Sequence, residues 1–286
     1  TSNVFQRSAG EGKVDRMLPL YQGMMAAPYD HRSSDVIKDV TLAQRQLQPR
    51  YLDDSEKANP HRLALPVYWI DELEVSDRLQ AWGAEWLLSY RRITAPTNER
   101  TALPCLTPRV ALSDGSPLLF QGAGPVGAAC MDSAWASLTF DFLVRQRVGG
   151  LHLDFFHVKQ LPVPPPSAFD QACPWDSSVS YAEWITPRVL ELTYTAHDMK
   201  PFARDLGDDG PPFRWDVERR ARLRAELDAC FFHLYGLDRV DTEYVLGTFP
   251  IANRKDPGLT PRILAAYEAL AASAASGEPY ISPLSP

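Results

Sequence analysis

The chain has 286 residues, 45% of them hydrophobic and 23% charged, the composition of a globular protein long enough for one large domain or two ordinary ones. Its formal net charge of −7 excludes the uniformly basic surface expected of a free-standing nucleic-acid binder. Any contact with a polyanion must therefore come from a local patch.

In chain order, residues 17–29 (MLPLYQGMMAAPY) are apolar around Gly23 and two prolines, and predict a strand followed by a turn. Residues 30–62 are polar and read as a long surface loop. LPVYWI (65–70) has the aromatic and β-branched content of a strand, with Tyr68 and Trp69 read as core. Further strands are expected over 84–94, in TALPCLTPRVAL and in PLLFQG, interrupted by prolines. A helix is expected over 128–147, because Met131, Trp135, Leu138 and Phe142 recur at helical spacing; Gly149-Gly150 would stop it. LHLDFFHVKQLPV (151–163) alternates like a strand, and PVPPPSAF leaves it in polyproline geometry.

The second half predicts helices over about 181–193, from an Asp216 cap to Gly236, and near 260–275. The fold class expected is α/β in the mixed α+β sense: a mixed-sheet domain over 1–166, then a helical extension over 167–286. The four cysteines (Cys105, Cys130, Cys173, Cys230) form no CxxC pair, which predicts buried, reduced thiols. With no apolar run of about 18 residues and no signal peptide, a cytoplasmic setting is expected. The opening TSNVFQRSAGEGK reads as a cut from a longer chain.

Several motifs invite chemistry and are set aside. GAGPVG (122–127) matches the dinucleotide fingerprint, but Pro125 removes an N–H from the loop that would cradle phosphate and no βαβ rhythm surrounds it. It reads as a glycine turn before a helix. GPPF (210–213) is one residue away from the amino-methyltransferase motif, and Gly210 has no side chain to accept from a target amine. His152 and His157, five apart on an expected strand, would face opposite sides and share no metal. No catalytic site and no cofactor site is assigned to this chain.

Segments spread along nearly the whole sequence then fit one family. LPLYQGMMAAPYDHR (18–32), RRITAPTNERT (91–101), LTFDFLVRQRVGGLHLDFFHVKQLPVPPP (138–166), RVLELTYTAHDMKPFARDLG, PPFRWDVERRARLRAELDACFFHLYGL and EYVLGTFPI resemble the C-terminal part of large adenine-N6 DNA methyltransferases. These are the type IIG restriction–modification enzymes and the related phage-defence methyltransferases of BREX and DISARM systems. Met24 stands where that family usually has a lysine. The resemblance implies a bacterial target recognition domain plus helical extension. It places S-adenosylmethionine and the catalytic motif in an N-terminal methyltransferase domain outside this chain, and makes duplex DNA the partner.

A recognition domain needs cations that grip phosphates and a smaller set of groups that read base edges, and arginine suits both tasks. Residues 78–160 carry 8 Lys+Arg against 6 Asp+Glu, a balance of +2, whereas residues 161–286 carry 12 against 18, or −6. The candidate DNA contacts are His31, Arg32, Arg91, Arg92, Arg100, Arg145, Arg147, His152 and Lys159. The arginines at 219–224 interleave with acids and are read as a solvated, ion-paired helix face. The competing function is a protein-interaction module that scaffolds a defence complex, favoured by the acidic second half.

Overall fold

The computed structural model describes residues 5–9, 13–42, 46–119 and 122–284. In chain order its elements are β1 Phe5–Ala9, β2 Lys13–Tyr21, β3 Ser34–Lys38, β4 Leu47–Tyr51, α1 Asp54–Ala58, β5 Trp69–Asp71, α2 Glu72–Arg78, β6 Trp86–Tyr90, β7 Pro104–Pro108 and β8 Ala111–Leu112. Then follow α3 Gly124–Ala136, α4 Leu138–Arg147, α5 Phe155–Val158, α6 Pro166–Phe169, β9 Ala172–Cys173, β10 Asp176–Ser180, α7 Tyr181–Thr193, α8 Lys200–Asp205, α9 Val217–Leu234, α10 Arg239–Gly247, α11 Pro250–Lys255 and α12 Leu259–Ser276. The fold is mixed α/β, as the pattern of strands followed by helices predicts. Among the described residues no helix is long and apolar enough to cross a membrane.

Two compact units divide the chain, and they interleave. The first comprises Thr1–Arg92, Pro104–Phe120 and Thr193–Trp215; the second comprises Ile93–Leu103, Gln121–Leu192 and Asp216–Pro286.

In the first unit β2 is the hub. It pairs antiparallel with β1 and β5 and parallel with β8, which makes the sheet mixed. Its inward residue Leu18 packs with Val75 of α2, Leu79 just beyond it, Leu87 of β6 and Ala111 of β8. A second cluster joins Tyr21, Met25, Val36, Ala64 and Val110. The strand expected over 84–94 is β6, and its antiparallel partner β7 comes from TALPCLTPRVAL. Leu118 of PLLFQG makes a single bridge to Ser89; the end of that expected strand, Phe120-Gln121, lies outside the described residues.

The loop expected over 30–62 is a structured segment instead. It holds the antiparallel β3–β4 hairpin and α1, and its first residues, 31–36, are buried. Polarity misleads here because the polar groups satisfy one another. Asp35 Oδ2 accepts from Arg50 Nη2 at 2.5 Å and from Arg62 Nη2 at 2.6 Å, and Asp35 Oδ1 accepts the Leu65 amide at 2.9 Å. Buried polar groups are tolerated on that condition. Tyr68, expected in the core, is exposed.

In the second unit α9 packs against α12. Leu223, Leu227, Cys230 and Phe231 of α9 are buried, as are Ile263, Tyr267 and Leu270 of α12. Helix α9 starts where its cap predicts: Asp216 Oδ1 accepts the Arg219 amide at 2.9 Å, and Gly236 follows its end at φ 71°. Helices α7 and α12 also lie where expected. All four cysteines are buried and unbridged.

The single helix expected over 128–147 is two. Ser137 is extended (φ −67°, ψ 149°) between α3 and α4, and its Oγ accepts the Phe140 amide at 3.2 Å. Serine competes for local backbone groups in this way and so favours caps over helix interiors. Asp228 of α9 completes the start of α4 by accepting the Leu138 amide at 2.7 Å. Of the expected stripe, Trp135 and Leu138 are buried while Met131 and Phe142 are half-buried, and Trp135 also stacks on Phe140 at 4.9 Å between ring centroids. Val148 ends α4 in extended conformation, so Gly149-Gly150 are not its left-handed stop.

The strand expected over 151–163 is absent. Asp154 heads the one-turn helix α5, and its amide donates to His157 Nδ1 at 3.3 Å. Only a bridge between Ile93 and His152, with the Thr94 amide donating to the Leu151 carbonyl at 3.0 Å, retains strand character. Pro165, at φ −65° and ψ 156°, has polyproline geometry and leads into α6.

Candidate nucleic-acid interface

The nine expected contacts separate by what already holds them. Arg32 is fully buried. Its Nη1 donates to the carbonyls of Asn59 (2.9 Å) and Arg62 (2.7 Å), and its Nη2 to those of Lys57 (2.6 Å) and Thr195 (2.9 Å). His31 is also buried, with Nε2 2.9 Å from Asp198 Oδ1. Burial raises the Asp198 pKa, but His31 and Arg32 outweigh it and hold this carboxylate below its usual range. Burial pushes the Arg32 guanidinium down, and Asp198 and Asp30 oppose that shift. These two residues tie α1 and the 193–198 segment to the head of β3 within the first unit.

Arg100 and Arg145 converge on one carboxylate in the second unit. Asp141 is completely buried; its Oδ2 accepts from Arg100 Nε at 2.6 Å and its Oδ1 lies 3.3 Å from Arg145 Nε. The Thr101 amide donates to both oxygens, at 3.1 and 3.0 Å. Arg100 also donates to the Ala136 carbonyl, and Arg145 to those of Thr248 (3.2 Å), Asn98 (3.0 Å) and Glu99 (2.8 Å). The Arg145 guanidinium lies 4.0 Å from the centroid of the Phe249 ring. This is a structural hub that fixes the 95–101 loop against α4. Its sequence signal, Asp141 four residues before Arg145, is the ordinary helical ion-pair spacing.

Arg91 and Arg92 are half-buried in the first unit beside the 113–116 turn. The Arg92 amide donates to the Gly115 carbonyl at 2.9 Å, and Arg92 Nη1 lies 3.7 Å from Asp114 Oδ2. Both side chains are therefore partly committed.

Arg147, His152 and Lys159 are exposed. They belong to the segment that runs from the end of α4 through Gly149-Gly150 and α5, wholly within the second unit. Leu153 and Leu161 are buried and anchor this segment, while Leu151, Phe155 and Phe156 between them stay largely exposed. Exposed aromatics were not foreseen, because a strand reading puts alternate residues inside.

The motifs set aside as decoys have structural roles. Gly124 (φ 69°) opens α3 with Pro125 in its first turn. In GPPF, the Gly210 carbonyl accepts from Tyr194 Oη at 3.0 Å, and Phe213 packs edge-on against Tyr194. Of the arginines at 219–224, Arg219 pairs with Glu191, but Arg220 is buried and donates to the Leu192 carbonyl at 2.6 Å, so the solvated-face reading fails for it.

Asp132 on α3 is a strongly perturbed carboxyl. It is fully buried, neither oxygen has a hydrogen-bond partner among the described residues, and burial pushes its pKa up to about 8. The folded state therefore keeps the proton while an unfolded carboxyl, near 3.9, releases it. Stability is then full below about pH 4 and falls by up to about 1.4 kcal/mol per pH unit until the folded pKa is passed. Asp132→Asn is expected to flatten this decline, so urea unfolding at pH 5 and pH 8 should give the variant the smaller loss; equal losses would refute the assignment.

No family model, curated protein or solved structure matches the chain.

Proposed function

We propose that this chain is the target recognition region of an adenine-N6 DNA methyltransferase of a restriction or phage-defence system, binding duplex DNA for a catalytic domain that lies N-terminal to it. The observation that carries this reading is the exposed cationic segment 147–159, which remains after Arg32, His31, Arg100 and Arg145 are absorbed into internal networks. It coincides with the segment in which the family resemblance is most detailed. Arg147 and Lys159 supply permanent charge there. Arg91 and Arg92 form a second basic pair in the first unit.

The chain's own residues would bind and orient the duplex; methyl transfer and S-adenosylmethionine belong to the preceding domain that the resemblance implies. Phosphate neutralisation releases counterions, so affinity must fall with salt at a slope of about −0.9 per phosphate. Phosphate contacts from Arg147 and Lys159 predict a log–log slope of about −1.8, and with Arg91 and Arg92 engaged as well about −3.6. A duplex titration of the 286-residue chain across a salt series reads this directly. A slope in that range supports duplex binding; absence of affinity at low salt overturns it in favour of the scaffold reading.

A further inference from the structure

We propose that Leu151, Phe155 and Phe156 form an apolar tip that stacks against unstacked bases, so that this segment favours DNA whose helix is locally opened. The inference rests on the duplex-binding reading and adds what the segment does to the bases.

Leu151 is 64% exposed, Phe155 55% and Phe156 58%, and Ile93, bridged to His152, is 52% exposed. Single exposed apolar residues are ordinary, but four on one short segment and its bridged neighbour are not. The tip is held rather than loose. Leu153 and Leu161 are buried on either side of α5, the Thr94 amide fixes Leu151, and the Gln160 side chain donates to the Phe156 carbonyl at 2.9 Å. Phe156 and His157 rings lie 3.9 Å apart, which limits the freedom of the Phe156 ring.

Charge selects the occupant. Residues 147–160 carry Arg147 and Lys159 against the one acid Asp154, in a chain whose net charge is −7. Lys159 stands one helical turn beyond Phe155, so cation and ring share a side of α5. Aromatic rings beside cations suit nucleic-acid bases, because each base offers a π-face and each phosphate an anion. Apolar side chains entering a base step unstack it at a cost, which is smallest where the step is already weakened.

The test compares a fully paired duplex with the same duplex carrying one abasic site beside 2-aminopurine, using the 286-residue chain. The wild type should bind the interrupted duplex roughly ten-fold more tightly, within the range of one base–aromatic stack, and change the 2-aminopurine fluorescence. Phe155→Ala/Phe156→Ala should abolish the preference and the fluorescence change while leaving the salt slope on the paired duplex intact. Phe155→Leu/Phe156→Leu, which keeps apolar area, guards against a folding defect and should also lose the fluorescence change. Equal binding of both duplexes by the wild type overturns the stacking tip and leaves duplex binding standing. Binding to neither duplex overturns both. A preference unchanged by the substitutions, or a change in self-association alone, assigns the tip another role and overturns the proposal.

Discussion

Asp141→Ala is expected to destabilise the second unit by about 3–5 kcal/mol, the cost of removing one partner from a buried ion pair. Two guanidinium groups, Arg100 and Arg145, would lose their common counter-ion, and the Thr101 amide its acceptor. Their carbonyl acceptors remain, but carbonyl dipoles do not balance two half-buried positive charges. At roughly 2–4 °C per kcal/mol for a unit of this size, the melting temperature should drop by about 6–20 °C. Asp141→Asn keeps the shape and one acceptor, and should recover part of the loss. Chemical denaturation reads both variants, and a change under about 1 kcal/mol for alanine would show that the hub contributes no more than an exposed salt bridge.

Arg32→Ala should be comparably severe, again about 3–5 kcal/mol, because it strands four carbonyls and opens a cavity in the first unit. The carbonyls belong to Asn59, Arg62, Lys57 and Thr195, so one side chain joins four backbone positions between residues 57 and 195. Arg32→Lys should rescue little: an ammonium has three donors on one atom and cannot span the planar fork that serves these acceptors. Native-state hydrogen exchange around residues 57–62 would report the loss locally. Protection equal to the wild type in Arg32→Ala would refute the bracing role. Any fall in DNA affinity in this variant is expected to follow its fold and not a lost phosphate contact.

Helix α9 was legible because apolar periodicity, an Asp216 cap and the Gly236 stop agree in it, and α7 and α12 lie where expected. The hairpin in 30–62 was not, since its stabilising contacts are long-range polar pairs such as Asp35 with Arg62, which no local pattern displays. In 138–166 the sequence could not say which of the candidate cations face inward. Arg145 and Arg147 are two apart on one helix, and a helix turns them to different sides. One meets Asp141 and the other solvent. The period of LHLDFF suggested a strand, while Leu153 and Leu161 are buried on either side of a helical turn.

The central claim is that the cations left outside the internal networks, and not those inside, hold DNA phosphates. It is tested most directly by the salt dependence of duplex affinity in the wild type and in Arg147→Ala/Lys159→Ala, a variant that changes only exposed positions. Loss of two phosphate contacts should make the log–log slope shallower by about 1.8 with stability unchanged. A slope identical to the wild type's would contradict the claim.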